Sequence, residues 1–170
     1  MVTLLGKEDW VPESQPVEQK LLSLLEARTL SLCTAESCTG GLIACRITDV
    51  PGASAVFLGG IVAYANAVKI AQLGVSEATL NTQGAVSEAT AREMVQGVAQ
   101  HLGADSALAV TGIAGPNGGT AEKPVGLVYI STWVKGAVVV TRNVFTGDRG
   151  AVKTQTADQA MMQLLEQLKG

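Results

Sequence analysis

The sequence is poor in the groups on which hydrolytic enzymes most often rely. It holds a single histidine, His101, in 170 residues. A Ser-His-Asp arrangement needs that residue beside the nucleophile. His101 instead closes a helix-like stretch in His-Leu-Gly, where a cation complements the helix dipole. Cysteine is scarce too: Cys33, Cys38 and Cys45 form no C-x-x-C pair. With one histidine and scattered carboxylates, no zinc-type spacing can be read, so no metal is expected. An odd cysteine count, with neither a basic nor an apolar leader at the start of the chain, reads as reduced thiols in the cytoplasm. No apolar run is long enough to span a bilayer. Charged residues make up only 16%, against a usual ~25%, and the net charge of −3 includes no run of Lys or Arg. That excludes the electrostatic footprint of a nucleic-acid or membrane-surface binder.

What is abundant is apolar surface, at 47% of residues. Set against so few charges, it suggests a homo-oligomer with a buried subunit interface. The length predicts one domain over residues 1–170, with residues 1–13 as a loose lead-in. A domain of this size buries roughly 70% of its unfolded surface and needs no disulfide or metal staple.

Along the chain, Ser14 with Pro16 and Glu18 behind it predicts a helix start, and Leu21, Leu22, Leu24 and Leu25 carry that helix to about Ala27. Residues 30–35 form the first strand. A helix over 39–49 stops at Val50-Pro51-Gly52. Residues 55–65 read as a strand with a bulge at Gly59-Gly60. Asn66 is expected to cap a short helix carrying Lys69 and ending near Gly74, and residues 76–80 form another. A longer helix over 87–102 has apolar residues at helical spacing and Gly103 just past its end. A short apolar run over 105–111 enters a glycine-rich loop, residues 112–119. Two β-rich runs, 125–134 and 137–145, are separated by Lys135-Gly136, a hairpin signal. Gly147-Asp148-Arg149-Gly150 leads into a last helix, to about Leu168. The alternation predicts an α/β fold with a mixed, mostly parallel sheet and helices on both faces.

The chain is organised around Thr34-Ala35-Glu36-Ser37-Cys38-Thr39-Gly40-Gly41, read as strand, tight turn and helix. Ser37 and Cys38 are rival nucleophiles, since a thiol is intrinsically stronger, and side-chain alternation lets only one face a cleft. The glycines permit a sharp turn, and free N–H groups at the start of the next helix favour an oxyanion or phosphate. With no histidine at hand, a neutral lysine is the alternative base. Lys69 is the best placed, flanked by Ala67, Val68, Ile70 and Ala71. An ordinary surface lysine with a buried stem would show the same spacing. Thr111 and the glycine-rich loop offer backbone N–H groups to a phosphate, or form a wide loop; they match neither a Walker A nor a dinucleotide fingerprint. Lys123 beside the loop suggests a phosphate contact. Tyr64 and Asn66 flank the helix of Lys69 and could line the same cleft.

These residues also carry a resemblance. Ala35-Glu36-Ser37-Cys38-Thr39-Gly40-Gly41, Tyr64-x-Asn66-x-x-Lys69, Gly84-Ala85-Val86-Ser87, Thr111-Gly112-Ile113-Ala114-Gly115-Pro116 and Gly147-Asp148-Arg149 occur in this order in the CinA C-terminal domain family. The chain resembles in particular the family's stand-alone nicotinamide-nucleotide amidases (PncC type), over about residues 15–168. The resemblance implies a three-layer α/β/α domain with about five or six strands. It also implies hydrolysis of the carboxamide of nicotinamide mononucleotide by a Ser/Lys mechanism, without a cofactor. It makes Ser37 the nucleophile, Lys69 the base and Tyr64 an assistant. Glu36, Thr39, Gly40, Gly41, Asn66, Thr111, Gly112, Gly115, Gly118, Gly119 and Arg149 become the expected substrate-binding set. The pyrophosphatase activity of the N-terminal domain in larger members is not expected here.

Overall fold

A computed structural model describes residues 15–170; the expected lead-in and the Ser14 helix start lie outside the described residues. The described chain forms a five-stranded sheet between two helical layers. Its elements are α1 (Val17–Ala27), β1 (Leu32–Glu36), α2 (Leu42–Thr48), a 3₁₀ turn (Ala53–Ala55), β2 (Phe57–Val62), α3 (Asn66–Leu73), α4 (Glu77–Gln83), α5 (Glu88–Leu102), β3 (Ser106–Gly112), β4 (Leu127–Val134), β5 (Ala137–Val144) and α6 (Arg149–Lys169). The strand order is β2-β1-β3-β4-β5. β2, β1 and β3 are mutually parallel, while β4 pairs antiparallel with both β3 and β5. Four of the five strands thus point the same way, and their C-terminal ends share one edge of the sheet.

Side-chain alternation separates the two layers. On β1 and β3 one face carries Leu32, Leu108 and Val110, packed with Leu21 and Leu25 of α1, Ile43 of α2 and Met161 and Leu164 of α6. The other face carries Cys33, Ala35, Ala107 and Ala109, beneath Met94, Val95 and Val98 of α5. Small residues on that face let α5 lie close to the sheet. At Gly97 the helix–helix approach is closer still: a Cβ there would fall 1.8 Å from the Leu73 carbonyl oxygen. The backbone of α3 therefore rests directly on α5, which fixes where Lys69 can point.

Local signals explain most boundaries. Ser76, Ser87 and Asp148 each accept a first-turn N–H and cap α4, α5 and α6. At Lys135-Gly136 both residues have positive φ, 46° and 97°, as a tight hairpin with the strands' twist requires. The irregularity in β2 lies at Leu58, an extra residue between the pairs Leu32–Phe57 and Cys33–Gly59. It sits one residue before the expected glycine pair. At Gly60 a Cβ would meet Thr34 Oγ1 at 2.3 Å. Two further expectations are corrected. Asn66 is the first residue of α3, whose cap position is Ala65 without a side-chain bond. α2 begins only at Leu42, because the glycine turn takes up residues 39–41.

Candidate active site

Ser37 follows the last residue of β1. Its N–H donates to the Val110 carbonyl of β3 at 3.1 Å, so it stands where two parallel strands end, as ligand sites in open α/β sheets do. Gly40 and Gly41, at φ 64° and 100°, reverse the chain into α2. Lys69, in α3, is only 1% exposed. Its Nζ lies 3.0 Å from Ser37 Oγ and donates to the carbonyls of Ala63 at 2.7 Å and Tyr64 at 3.2 Å. Burial pulls its pKa below the ordinary lysine value.

The contacts of Nζ set a direction for proton transfer. A carbonyl oxygen can only accept. A neutral amine with two N–H bonds aimed at Ala63 and Tyr64 has its lone pair left for the Ser37 hydroxyl proton. Cys38, the rival nucleophile, is nearly buried. Desolvation pushes its thiol up to about 12, so at neutral pH it is a thiol and not a thiolate.

Ser37, Cys38 and Lys69 open into a cleft of about 280 Å³. Of the expected residues, Tyr64, Thr111, Gly112, Gly115, Gly118 and Arg149 line it with them; Glu36, Thr39, Gly40, Gly41, Asn66 and Gly119 do not. Glu36 is turned inward, 1% exposed, and its carboxylate accepts from Thr39 Oγ1 and from the N–H groups of Gly41, Ile43 and Ala44. Of the turn's N–H groups expected to meet an oxyanion, those of Gly40 and Gly41 are engaged, Gly40 by the Ser37 carbonyl and Gly41 by Glu36. The N–H groups of Cys38 and Thr39 are directed at the Cys38 sulfur, where they oppose the rise of its pKa. Asn66 is exposed. Lys123 is not in the cleft and donates to the Gln83 carbonyl at 2.8 Å.

Arg149, at the start of α6, donates to the Gly115 carbonyl at 2.9 Å and to Tyr64 Oη at 3.2 Å. It thereby ties the glycine-rich loop to the segment that leads into α3. Among the described residues, the N–H groups of Ala114, Gly115, Asn117, Gly118 and Gly119 have no acceptor in the chain. Part of the lining is apolar, from Ile113 and Ala114 of the loop itself and from Ala85 and Val86. That stretch is held from several sides. Gly84 O accepts from Ser87 and Thr90 at 2.9 and 2.8 Å, and Ala85 O accepts from Thr111 at 2.7 Å.

The CinA C-terminal domain model matches residues 14–168. The chain belongs to this family. A protein of Halothermothrix orenii with a competence-damage inducible name is 53% identical over 97% of this chain and 40% of its own length. A CinA-like protein of Thermotoga maritima is 46% identical, again over 97% and 40%. The chain thus spans about 40% of the length of these curated relatives. Among solved structures, the competence/damage inducible protein CihA of Agrobacterium tumefaciens superposes with a TM-score of 0.88 at 41% identity, covering 91% of this chain and 94% of that one. The three-layer α/β fold with its mixed sheet is that of CinA-superfamily structures.

Within the CinA domain, sequence reasoning missed the apolar lining. Ala85 and Val86 sit in a motif that the resemblance had already marked, and Ile113, Ala114 and Asn117 sit inside the glycine-rich loop. Small apolar residues flanking a nucleophile's partners were the available signal. Among the described residues no group of three His, Cys, Asp or Glu side chains could hold a metal, and no helix is long and apolar enough to cross a membrane.

Proposed function

We propose that this CinA domain hydrolyses the carboxamide of nicotinamide mononucleotide to nicotinate mononucleotide and ammonia, in pyridine-nucleotide recycling, with Ser37 as nucleophile and Lys69 as base. The observation that carries the reading is the 3.0 Å contact between Ser37 Oγ and a lysine amine 1% exposed. A solvated lysine is protonated and useless as a base; a desolvated one reaches the range where base catalysis works.

Lys69 takes the Ser37 proton directly, because Tyr64 Oη is engaged with Arg149 and only the Tyr64 carbonyl faces the amine. Ser37 Oγ attacks the amide carbon. The oxyanion takes the N–H groups of Cys38 and Thr39 in place of their weak acceptor, the Cys38 sulfur, and such a donor is worth ~10²–10³ in rate. The protonated Lys69 then delivers its proton to the leaving nitrogen, which departs as ammonia and leaves a nicotinoyl ester on Ser37. Lys69 deprotonates a water, the hydroxide adds to the ester carbonyl, and protonated Lys69 returns the proton to Ser37 Oγ as that oxygen leaves and nicotinate mononucleotide is released. The pyridine ring lies against Ala85, Val86 and Ile113. The phosphate takes the open N–H groups of the glycine-rich loop and a free edge of Arg149.

The decisive experiment is ammonia release from purified protein. Nicotinamide mononucleotide should be turned over and free nicotinamide barely so. Turnover of neither would overturn the reading, and turnover of only some other small amide would keep the mechanism and replace the substrate.

A further inference from the structure

The four donors on Glu36 set it apart from the other carboxylates of the described chain. Thr39 Oγ1 donates to Oε2 at 2.5 Å, Gly41 N–H at 3.1 Å and Ile43 N–H at 3.0 Å, and Ala44 N–H donates to Oε1 at 2.8 Å. Both oxygens act only as acceptors, which is what an ionised carboxylate offers. Among the described residues no Lys, Arg or His forms an ion pair with it. Its compensation comes from the unpaired N–H groups that begin α2. The donors span the turn and the helix: Thr39 and Gly41 lie in the turn, and Ile43 and Ala44 lie in the helix that follows.

We propose that Glu36 is a positioning residue, the fixed anion of the α2 N-terminus, which locks the turn bearing Ser37 and closes that helix end to the substrate's own anion. The inference rests on the Ser37–Lys69 reading and deepens it. It also replaces the expectation that Glu36 binds substrate: at 1% exposure its carboxylate has no face toward the cleft. Two consequences follow from the geometry. Ser37 is the residue next to Glu36, so loosening the carboxylate's grip displaces Oγ relative to Lys69 Nζ, and a shift near 1 Å costs ~10²-fold in such a constellation. The substrate phosphate, excluded from α2, is left to the glycine-rich loop, so binding is untouched by a change at Glu36.

The test is Glu36→Gln, which keeps the size and loses one oxygen acceptor. Because a poorly folded variant would mimic the effect, Thr39→Val is made in parallel. It removes one of the four bonds and leaves the backbone N–H groups in place. Two readouts are taken on protein shown folded by circular dichroism. One is the rate at which a fluorophosphonate labels Ser37, located by mass spectrometry. The other is the separation of kcat from KM with nicotinamide mononucleotide. The expected result is labelling and kcat slowed ~10²-fold in Glu36→Gln and about 10-fold in Thr39→Val, with KM within about twofold of the parent. A raised KM with unchanged labelling would show Glu36 to be a substrate contact and overturn the inference. Equal labelling of both variants and the parent would overturn it as well. A parent protein whose Ser37 is not labelled at all would instead remove the Ser37–Lys69 reading, and this inference with it.

Discussion

Replacing Lys69 by arginine preserves a cation and removes the base, so it isolates what the amine does. A lysine of ordinary pKa, ~10.4, is neutral in about one molecule in 2,500 at pH 7, a handicap of about 4.6 kcal/mol. Each unit by which burial lowers that pKa returns a factor of ten. The site supplies the burial: Lys69 is 1% exposed and its desolvation lowers the pKa. A guanidinium holds its proton far more tightly than an amine and stays protonated even when buried. It would also aim donors at all three neighbours of Nζ, the carbonyls of Ala63 and Tyr64 and the Ser37 oxygen. The Ser37 proton then has nowhere to go. Lys69→Arg should lower kcat/KM by at least ~10³-fold, as much as Lys69→Ala does. The assay is ammonia release at low substrate from pH 5.5 to 10. In the parent, log(kcat/KM) should rise with unit slope through an ionisation below the ordinary lysine value, and that limb reports the free enzyme's base. In residual activity of the Lys69 variants the limb should vanish. A Lys69→Arg enzyme retaining more than a tenth of the activity would refute the argument, as would a limb at ~10.4. The lysine would then be supplying charge, and another group would have to activate Ser37.

Three other outcomes are expected. Ser37→Ala should abolish turnover by ~10⁴-fold or more, while Cys38→Ala, which removes a protonated thiol, should cost less than about 10-fold in the same ammonia assay. Nicotinamide riboside, lacking the phosphate, should show a kcat/KM lower by about 10- to 100-fold, the worth of one or two charge-assisted hydrogen bonds; equal efficiency would give the glycine-rich loop another purpose. Three buried groups should make stability depend on pH in opposite senses. The folded state binds fewer protons at Lys69, so unfolding free energy rises with pH from that residue's lowered pKa toward ~10.4, while Cys33 and Cys38, raised from 9.0 to about 12, lower it as pH climbs past 9. Denaturant unfolding between pH 6 and 10.5 measures this, and Cys33→Ala with Cys38→Ala should remove the alkaline decline.

Much of this fold could be read from the sequence, because its signals are local. Short apolar runs mark β1 and β3, which are buried along almost their whole length. Ser76, Ser87 and Asp148 mark helix starts, and Lys135-Gly136 marks the hairpin. The pairing of Ser37 with Lys69 came from elimination, since one distant histidine left a lysine as the available base, and from the family resemblance. What escaped was the choice of partner. Spacing says which face a residue occupies but not which of two nearby ends will claim it. Glu36 is expected from the sequence to bind substrate, and only the folded position of the Gly41, Ile43 and Ala44 N–H groups turns its carboxylate inward. Asn66 has the side chain of a good cap yet sits one residue too late. Lys123 lies beside a loop that looks built for phosphate, but reaches across to the Gln83 carbonyl instead.

The ties on the apolar side of the cleft bear on the thermodynamics of ligand capture. The carbonyls of Gln83, Gly84 and Ala85 are held by side chains from Lys123, α5 and β3. A ring settling on Ala85 and Val86 therefore meets a surface already in its bound shape. Little chain entropy is left to lose there, so affinity is not diluted by ordering of the loop. Calorimetry should show a small negative heat-capacity change that matches the buried ring area alone. Amide exchange over residues 83–90 should be as slow in the free protein as in the liganded one.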